Sequence, residues 1–239
     1  MSNIAVVTGA GSGVGRAVVI KLGKAGWDVA LVGRRVEQLE ETIALAVGAS
    51  GRLIATPCDV ADETSVKMMA ARVIDELGHP SVLVNSAGLN IPKRSFAELS
   101  AEDYRLVINV NLNGAYYCIA EFLPGMRRAR AGTIVNVVSD AGLFGNIVSG
   151  PAYIAAKFGL TGLTEALNAE ERRNGIRATA ISPGAIDTPL MEKRPTVPSA
   201  EARSRMLQAE DVAECVMLAI QLPQRATIEQ LLIRPTDST

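Results

Sequence analysis

The sequence has few residues of the kinds that build metal sites and disulfide frameworks. It contains three cysteines and one histidine in 239 residues. Cys58, Cys118 and Cys215 are widely spaced and odd in number, so they fit neither a metal-binding pattern nor a disulfide framework, and we interpret them as buried free thiols. His79 precedes Pro80 in a predicted surface turn, and no triad or metal site can be assembled around it. We therefore expect no metal.

Neither sign of charge is in excess, and long hydrophobic runs are absent. Lys and Arg total 24 against 25 acidic residues, a formal net charge of −1, so electrostatics give no case for nucleic acid or an anionic membrane as main partner. The apolar runs are far shorter than the roughly 20 residues of a membrane-spanning helix. The first predicted strand begins at Ile4, which leaves no room for a signal peptide. We expect a cytoplasmic protein with neither a nucleic-acid nor a membrane partner.

What the sequence does contain is an alternation of short apolar runs with helical patterns. The runs predict strands at 4–8, 28–32, 53–56, 81–84, 132–138, 176–181 and 229–233. Helices are predicted at about 16–26, 39–47, 62–73, 101–128 (with a bend near Asn113-Gly114), 152–173 and 209–222. This order predicts an α/β fold, in which a single doubly wound parallel sheet of about seven strands has helices on both faces (a Rossmann fold). One domain accounts for 1–239.

Segment 189–208, called the flap below, interrupts this alternation. Three prolines and scattered charge predict a loop or mobile flap that covers a substrate. Within it, Lys193 or Arg194 could receive a substrate carboxylate, or both could be solvated surface charges. The sequence leaves the two alternatives open.

A glycine-rich turn directly follows the first strand. Glycines occupy positions 9, 11, 13 and 15, where missing Cβ atoms let backbone N–H groups approach a pyrophosphate. The next predicted helix directs the positive end of its dipole at the same charge. Because the turn follows a strand and opens a helix, it favours a dinucleotide-binding turn over a flexible connection.

The end of the second strand indicates which dinucleotide is bound. Enzymes that use NAD usually have Asp or Glu there, accepting hydrogen bonds from the 2′-hydroxyl of the ribose. This chain has Gly33 followed by Arg34 and Arg35. Guanidinium groups can form bidentate hydrogen bonds to the 2′-phosphate of NADP, and Arg34 is the better candidate of the two. The pattern favours NADP over NAD; the alternative is a pair of solvated surface arginines.

A helix beginning near Pro151 carries Tyr153 and Lys157, whose spacing of four places both side chains on one face. An ammonium group beside a phenol favours the phenolate, so we expect Lys157 to bring the Tyr153 pKa down toward neutral pH. Ser139 follows an apolar run and should lie at the carboxyl end of a strand, where open α/β sheets bind ligands. Together the three side chains could polarise a carbonyl and supply its proton.

These stretches together resemble the classical short-chain dehydrogenase/reductase family over nearly the whole chain. The turn from Thr8 to Gly15 is similar to the family's Thr-Gly-x-x-x-Gly-x-Gly motif, Asn-Ser-Ala-Gly at 85–88 to its Asn-Asn-Ala-Gly, and 182–188 to the stretch that holds the nicotinamide amide. Asp59 matches the residue that hydrogen-bonds the adenine amino group. Asn111 matches the asparagine that holds a water in the family's proton relay.

The resemblance also implies a set of site residues. Catalytic roles are implied for Asn111, Ser139, Tyr153 and Lys157. Cofactor binding is implied for Gly9, Gly11, Ser12, Gly13, Val14, Gly15, Arg34, Arg35, Asp59, Val60, Asn85, Ala87, Gly88, Tyr153, Lys157, Pro183, Gly184, Ile186 and Thr188. The substrate pocket is expected to include Asn90, Asp140, Leu143, Phe144, Ile147, Ala185 and the flap.

The implied activity is NADP(H)-dependent hydride transfer between a carbonyl and a secondary alcohol, with Tyr153 as acid and base. The ending Thr227 to Thr236 is similar to members that act on 3-hydroxy acids and to broad carbonyl reductases. Two alternatives compete, namely a nucleotide-sensing regulator that keeps the fold without turnover and a methyltransferase with a similar glycine turn. Arg34-Arg35 and the Tyr-Lys helix speak against the methyltransferase.

In the family, the helices predicted at 101–128 and 152–173 pair across a twofold axis. We therefore expect a homodimer or homotetramer. The alternative is that their apolar residues pack only on their own sheet. These residues are Tyr104, Ile108, Tyr116, Phe122, Phe158, Leu163 and Leu167.

Overall fold

The computed structural model describes residues 3–237, and within that range every strand belongs to one parallel sheet in the order β3-β2-β1-β4-β5-β6-β7. Met1, Ser2, Ser238 and Thr239, the ends of the predicted domain, lie outside the described residues. The strands are β1 (Ile4–Thr8), β2 (Asp28–Gly33), β3 (Leu53–Pro57), β4 (Val82–Asn85), β5 (Gly132–Val137), β6 (Ile176–Pro183) and β7 (Gln230–Ile233). The predicted sheet is confirmed.

Helices cover both faces of this sheet. They are α1 (Gly13–Lys24), α2 (Val36–Leu45), α3 (Glu63–Glu76), α4 (Ala101–Ile108), α5 (Gly114–Ala129), α6 (Pro151–Glu171), α7 (Ala200–Ser204) and α8 (Ala209–Gln221). Helices α1 and α8 pack together on one face, while α3 and α5 pack together on the other. The doubly wound arrangement is therefore confirmed as well.

The hydrophobic pattern explains why the two layers close on the sheet. Strands β1, β4, β5 and β6 are buried along their whole length, as expected for parallel strands covered on both faces. Leu22 of α1 and Val212 of α8 lie in the core on one side, and Phe122 of α5 lies in the core on the other. The strand order reverses between β1 and β4, which opens a crevice at their carboxyl ends.

Several helix boundaries differ from the prediction: α2 begins and ends two to three residues before the expected range, so Val47 lies outside it, and α3 continues three residues further. Two other differences have a clear local cause. Helix α1 begins at Gly13 rather than near 16, because Ser12 is its extended N-cap residue and the glycines at 13 and 15 already form its first turn. The predicted long helix divides into α4 and α5 at a π-helical turn, Asn109–Asn113, close to the expected bend. Extra backbone turns of this kind are frequent at functional sites.

The flap contains more structure than the sequence indicates. It includes a 3₁₀ turn, Pro189–Lys193, and the short helix α7, whose N-cap Ser199 accepts a hydrogen bond from the N–H of Ala202 at 3.1 Å. A β-bridge between Ile186 and Leu207 ties its far end to the segment after β6. The prediction of an irregular loop is therefore wrong in part, because local caps satisfy the backbone despite the prolines.

The cysteines, the potential metal ligands and the apolar helices were each the subject of an expectation from composition. Cys58 and Cys118 are buried free thiols, whereas Cys215 is only partly buried, which corrects that part of the prediction. In the described part of the chain, no group of three His, Cys, Asp or Glu side chains is placed to bind a metal ion. Among residues 3–237, no helix combines the length and apolar character needed to cross a membrane.

The apolar residues of the helices expected to pair between subunits range from buried to exposed, and Ile108 and Leu163 are partly buried. Phe122 and Leu167 are buried in the core of the chain itself. Tyr104, Tyr116 and Phe158 are exposed. A homodimer or homotetramer stays a prediction, and these three side chains are the surface on which it depends.

Candidate active site

Two neighbouring cavities lie at the carboxyl ends of the strands, and they share Gly9, Ser12 and Gly88. The glycine-turn cavity is lined by nine of the predicted cofactor residues: Gly9, Gly11, Ser12, Arg34, Arg35, Asp59, Val60, Ala87 and Gly88. The Tyr153 cavity, of about 430 Å³, is lined by further predicted residues: Gly13, Val14, Ser139, Tyr153, Lys157, Pro183, Gly184, Ile186 and Thr188. This volume suits a small-molecule site.

The glycine turn has the backbone that a bound phosphate group requires. Gly9 and Gly13 have φ values of +67° and +50°, a region that favours glycine. A Cβ atom on Gly9 would lie 2.9 Å from the backbone of Ala87, and one on Gly15 would collide with the Gly9 carbonyl oxygen. Gly15 thus packs α1 against the turn instead of lining a cavity. Because the first turn of α1 carries no acidic residue, its N-terminus can accept a phosphate.

Arg16 holds the turn in place, a role that the local sequence does not indicate. Its Nη2 donates to the Gly11 carbonyl oxygen at 2.7 Å and also pairs with Glu41 at 2.7 Å. The Thr42 hydroxyl donates to the Ala10 carbonyl oxygen at 2.9 Å. These partners lie on α2, about 25 residues further along the chain, so no local motif could reveal them.

Thr8 joins the turn to the end of β4. Its buried Oγ1 accepts hydrogen bonds from the N–H groups of Ser86 and Ala87, at 3.1 and 3.0 Å. This fixes the two sides of the crevice, with Gly9 on one and Gly88 on the other, at the point where the strand order reverses.

Arg34 and Arg35 lie between β2 and α2, beside the glycine-turn cavity. Both are exposed, and within the described range neither forms an ion pair or a side-chain hydrogen bond. Asp59 lines the same cavity, and its Oδ1 accepts a hydrogen bond from the N–H of Ala61 at 3.0 Å. The two guanidinium groups are therefore available to an anionic ligand, and no carboxylate among residues 3–237 pairs with them.

Tyr153, Lys157 and Ser139 converge in the Tyr153 cavity. Pro151 occupies the first turn of α6, and Lys157 Nζ lies 5.6 Å from the centre of the Tyr153 ring, as the spacing of four predicts. Lys157 Nζ donates to the Val137 carbonyl oxygen of β5 at 2.9 Å. Ser139 hydrogen-bonds Tyr153, and its Oγ also accepts from the N–H of Ala141 at 3.1 Å.

The charge states of this cluster correct the prediction for Tyr153. Burial raises the pKa of Tyr153 to about 12, and the hydrogen bond from Ser139 only partly opposes this. Burial also lowers the pKa of Lys157 to about 7. Lys157 therefore does not bring the Tyr153 pKa toward neutral, because burial disfavours both charged forms. Near neutral pH the phenol keeps its proton.

Asn111 and Asn85 are placed beside the cavities rather than in them. Asn111 Nδ2 donates to the carbonyl oxygens of Leu89 and Val107 at 2.9 and 2.8 Å, so the side chain holds the loop after β4. Asn85 Nδ2 donates to Asn136 Oδ1 at 2.9 Å, in the buried interior of the sheet. The structure therefore does not bring either side chain, or Gly15, to the surface of a cavity.

Only some of the residues expected in the substrate pocket line the Tyr153 cavity. Asn90, Asp140 and Ala185 line the Tyr153 cavity, as does the flap, through Pro189, Leu190, Met191 and Arg194. Leu143, Phe144 and Ile147 do not line it, and Asn146, Val148 and Ser149 take their place. Of the two candidate anion ligands, Arg194 lines the cavity and Lys193 is exposed outside it. Arg94 is buried in the cavity wall, and the sequence does not indicate it as a site residue because no motif surrounds it.

The low pKa of Lys157 leads to a measurable pH dependence of stability. Folding lowers this pKa from its usual 10.5 to about 7, so between these values the unfolded chain binds a proton that the folded chain lacks. The free energy of unfolding therefore rises with pH across this window. Below the window it does not change through Lys157, because both the folded and the unfolded state are protonated there. We expect the unfolding free energy of the wild type, minus that of Lys157→Met, to increase from pH 7 to 10 in urea titrations. A difference that is flat with pH would contradict the assignment.

Comparison with known proteins agrees with this geometry. Residues 3–198 match the model of the short chain dehydrogenase family. The chain is 38% identical over 205 residues to the 3beta-hydroxysteroid dehydrogenase of Mediterraneibacter gnavus, covering 86% of this chain and 72% of that one. It is 33% identical over 234 residues to the D-beta-hydroxybutyrate dehydrogenase of Rhizobium meliloti, with 97% and 89% covered.

A solved structure of serine dehydrogenase complexed with NADP⁺ superposes with a TM-score of 0.88 at 29% identity, covering 99% of this chain and 96% of that one. The sheet, the glycine turn and the family match therefore all point to the same family. The chain belongs to the short chain dehydrogenase family.

Proposed function

We propose that the protein is an NADP(H)-dependent oxidoreductase that interconverts a carbonyl and a secondary alcohol by hydride transfer, with Tyr153 as acid and base. The observation that carries this proposal is the convergence of Ser139, Tyr153 and Lys157 in a cavity that adjoins the glycine turn. Family membership supports it. An intact cluster gives no support to the regulatory alternative, and membership in the family excludes the methyltransferase.

The residues present fit a dinucleotide. The turn at Gly9 and Gly13 and the N-terminus of α1 would hold the pyrophosphate, since no Cβ or carboxylate blocks the approach. Asp59 would accept from the adenine, while the stretch around Thr188 would hold the nicotinamide amide. When bound, the cofactor supplies the hydride.

Two observations support NADP over NAD. Arg34 and Arg35 are unpaired in the described part of the chain and lie beside the glycine-turn cavity, where a guanidinium can bind the 2′-phosphate through paired hydrogen bonds. The serine dehydrogenase that superposes on this chain was crystallised with NADP⁺. We therefore assign the 2′-phosphate to Arg34, with Arg35 beside it.

Side chains of the protein would bind and protonate the oxygen of the substrate. The Ser139 hydroxyl and the Tyr153 phenol hydrogen-bond this oxygen, which orients the carbon and polarises the carbonyl. With a pKa of about 12, Tyr153 keeps its proton at neutral pH and can donate it to the developing alkoxide. Lys157 is held by the Val137 carbonyl oxygen and would face the ribose hydroxyls. Asn111 fixes the adjoining loop, beside which a water could carry the proton onward.

The experiment that tests the proposal follows the absorbance of reduced nicotinamide with 3-oxo acids, diketones, aldehydes and ketosteroids. We expect turnover of at least one class, faster with NADPH than with NADH. Binding of NADPH without turnover of any class would contradict the proposed activity and favour the regulatory alternative.

A further inference from the structure

Arg94 is a buried cation in the wall of the Tyr153 cavity. Its relative exposure is 7%, and it lies between the loop before α6 and the flap. Nη1 donates to the Val148 carbonyl oxygen at 3.4 Å, and Nη2 donates to the Lys193 carbonyl oxygen. The buried Nε has no hydrogen-bond partner within residues 3–237. Since a guanidinium carries five N–H donors, these contacts leave about three of them unused.

No carboxylate in the described part of the chain compensates this charge. Asp140, which lines the same cavity, pairs with Arg234 at 3.7 Å. Asp187 and Glu192 both pair with Arg203. Burial accordingly lowers the pKa of Arg94, and the charge of Arg194 lowers it further. A buried charge without a partner destabilises the folded protein. The wall of this cavity is therefore suited to an anion that comes from outside the protein.

Arg194 adds a second cation to the same cavity. It is partly buried, lines the cavity from the flap, and its side chain forms no ion pair or hydrogen bond among the described residues. Both arginines line the same cavity as Tyr153, the candidate proton donor, and their charges favour its phenolate form. Two like charges that face one cavity repel each other, and an anion bound between them would offset this repulsion.

We propose that the substrate carries a carboxylate or a comparable anionic group, which Arg94 binds from the wall and Arg194 from the flap, while Tyr153 and Ser139 hold the reacting oxygen. This inference rests on the proposed function and narrows its substrate class to oxo and hydroxy acids. Guanidinium groups bind carboxylates through short, charge-assisted hydrogen bonds. The flap that carries Arg194 thereby closes on the anionic end of the substrate.

The test uses acetoacetate and its methyl ester, with saturating NADPH; the ester lacks the negative charge and carries one additional methyl group. We expect the wild type to favour the acid in kcat/KM by about tenfold or more. In Arg94→Met, the ratio of acid to ester should fall by about 10- to 100-fold, mainly through KM for the acid. Arg194→Met should lower it by about 3- to 10-fold, because this side chain is less buried. Arg94→Lys should restore part of the preference.

Lys93→Met is the matched control, since Lys93 is the exposed neighbour of Arg94 and lines neither cavity. It should leave the ratio unchanged, and KM for NADPH should be unchanged in all variants. Equal losses on acid and ester would show that Arg94 only positions the loop and the flap, and would overturn the proposal. A raised KM for NADPH in Arg94→Met or Arg194→Met would show that these arginines bind an anionic group of the cofactor, and would overturn the proposal as well. If Arg94→Met does not fold, the change in the acid-to-ester ratio of Arg194→Met alone tests the proposal.

If neither substrate is turned over, calorimetric titration with malonate in the presence of NADP⁺ takes the place of the kinetic ratio. Malonate binding that is lost in Arg94→Met, or in Arg194→Met, supports the anion site even where the proposed oxidoreductase activity fails. No malonate binding to the wild type overturns it.

Discussion

Replacing Tyr153 with phenylalanine lowers kcat for carbonyl reduction by about 10²- to 10⁴-fold, the usual contribution of a positioned acid. The aromatic ring stays in place, so its packing in the Tyr153 cavity is kept and only the hydroxyl, with its hydrogen bond to Ser139, is lost. The Kd for NADPH should change by less than about threefold, because the proposed phosphate contacts come from the glycine turn and Arg34, which the substitution leaves in place. Steady-state kinetics and fluorescence titration with NADPH measure the two quantities.

Tyr116→Phe is the matched control for this experiment. Tyr116 is exposed on α5 and lines neither cavity, so the same loss of a hydroxyl there should leave kcat unchanged. A Tyr153→Phe enzyme with wild-type turnover would show that another group protonates the substrate. An equal loss of kcat in both variants would point to a general effect on folding.

Replacing Arg34 and Arg35 together with alanine raises KM for NADPH by about 10- to 100-fold and leaves KM for NADH within about twofold. The reason is that only NADPH carries the 2′-phosphate, and each charge-assisted hydrogen bond to it contributes on the order of 1.5–3 kcal/mol. Because both side chains are exposed and without ion pairs in the described range, folding should be unaffected. Of the single variants, Arg34→Ala should have the larger effect.

Arg225→Ala controls for the loss of positive charge, since Arg225 is exposed and lies outside both cavities. It should change neither KM. Equal increases in KM for NADPH and NADH in the double variant would mean that the arginines act on a part common to both cofactors. No change for either cofactor would mean that they are solvated surface charges.

Much of the site could be predicted because its residues are close in sequence. The glycine turn lies between a strand and a helix, so its position at the crevice follows from the fold class alone. Tyr153 and Lys157 share a helix face because they are four residues apart. Ser139 follows β5 and reaches the same edge of the sheet because parallel strands all end there.

Other features depend on contacts between distant segments, and the sequence could not reveal them. Arg16 binds the glycine turn only because α2 places Glu41 and Thr42 beside it. Arg94 is buried because the flap and the loop before α6 close around it. Asn85 faces the interior because it meets Asn136 on the neighbouring strand.

The prediction for the pKa of Tyr153 is wrong for a related reason. The spacing of four residues indicates that an ammonium group lies near the phenol, but it contains no information about how much solvent both groups lose. Burial of Tyr153 and Lys157 outweighs their proximity, and it raises one pKa while lowering the other. The flap is a similar case, because its short helix depends on a cap at Ser199 amid residues that otherwise favour a loop.

The most direct test of hydride transfer is to follow a hydride label. The purified protein is incubated with NADPH carrying deuterium at C4 of the nicotinamide and with a substrate that it turns over, and the product is analysed by mass spectrometry and NMR. We expect one deuterium to appear on the carbinol carbon of the product, and this transfer to slow by the same factor as kcat in Tyr153→Phe. The experiment is done with deuterium on each face of C4 in turn, since either hydrogen could be transferred. If neither label appears on the carbinol carbon, hydride transfer between this protein's cofactor and its substrate is contradicted.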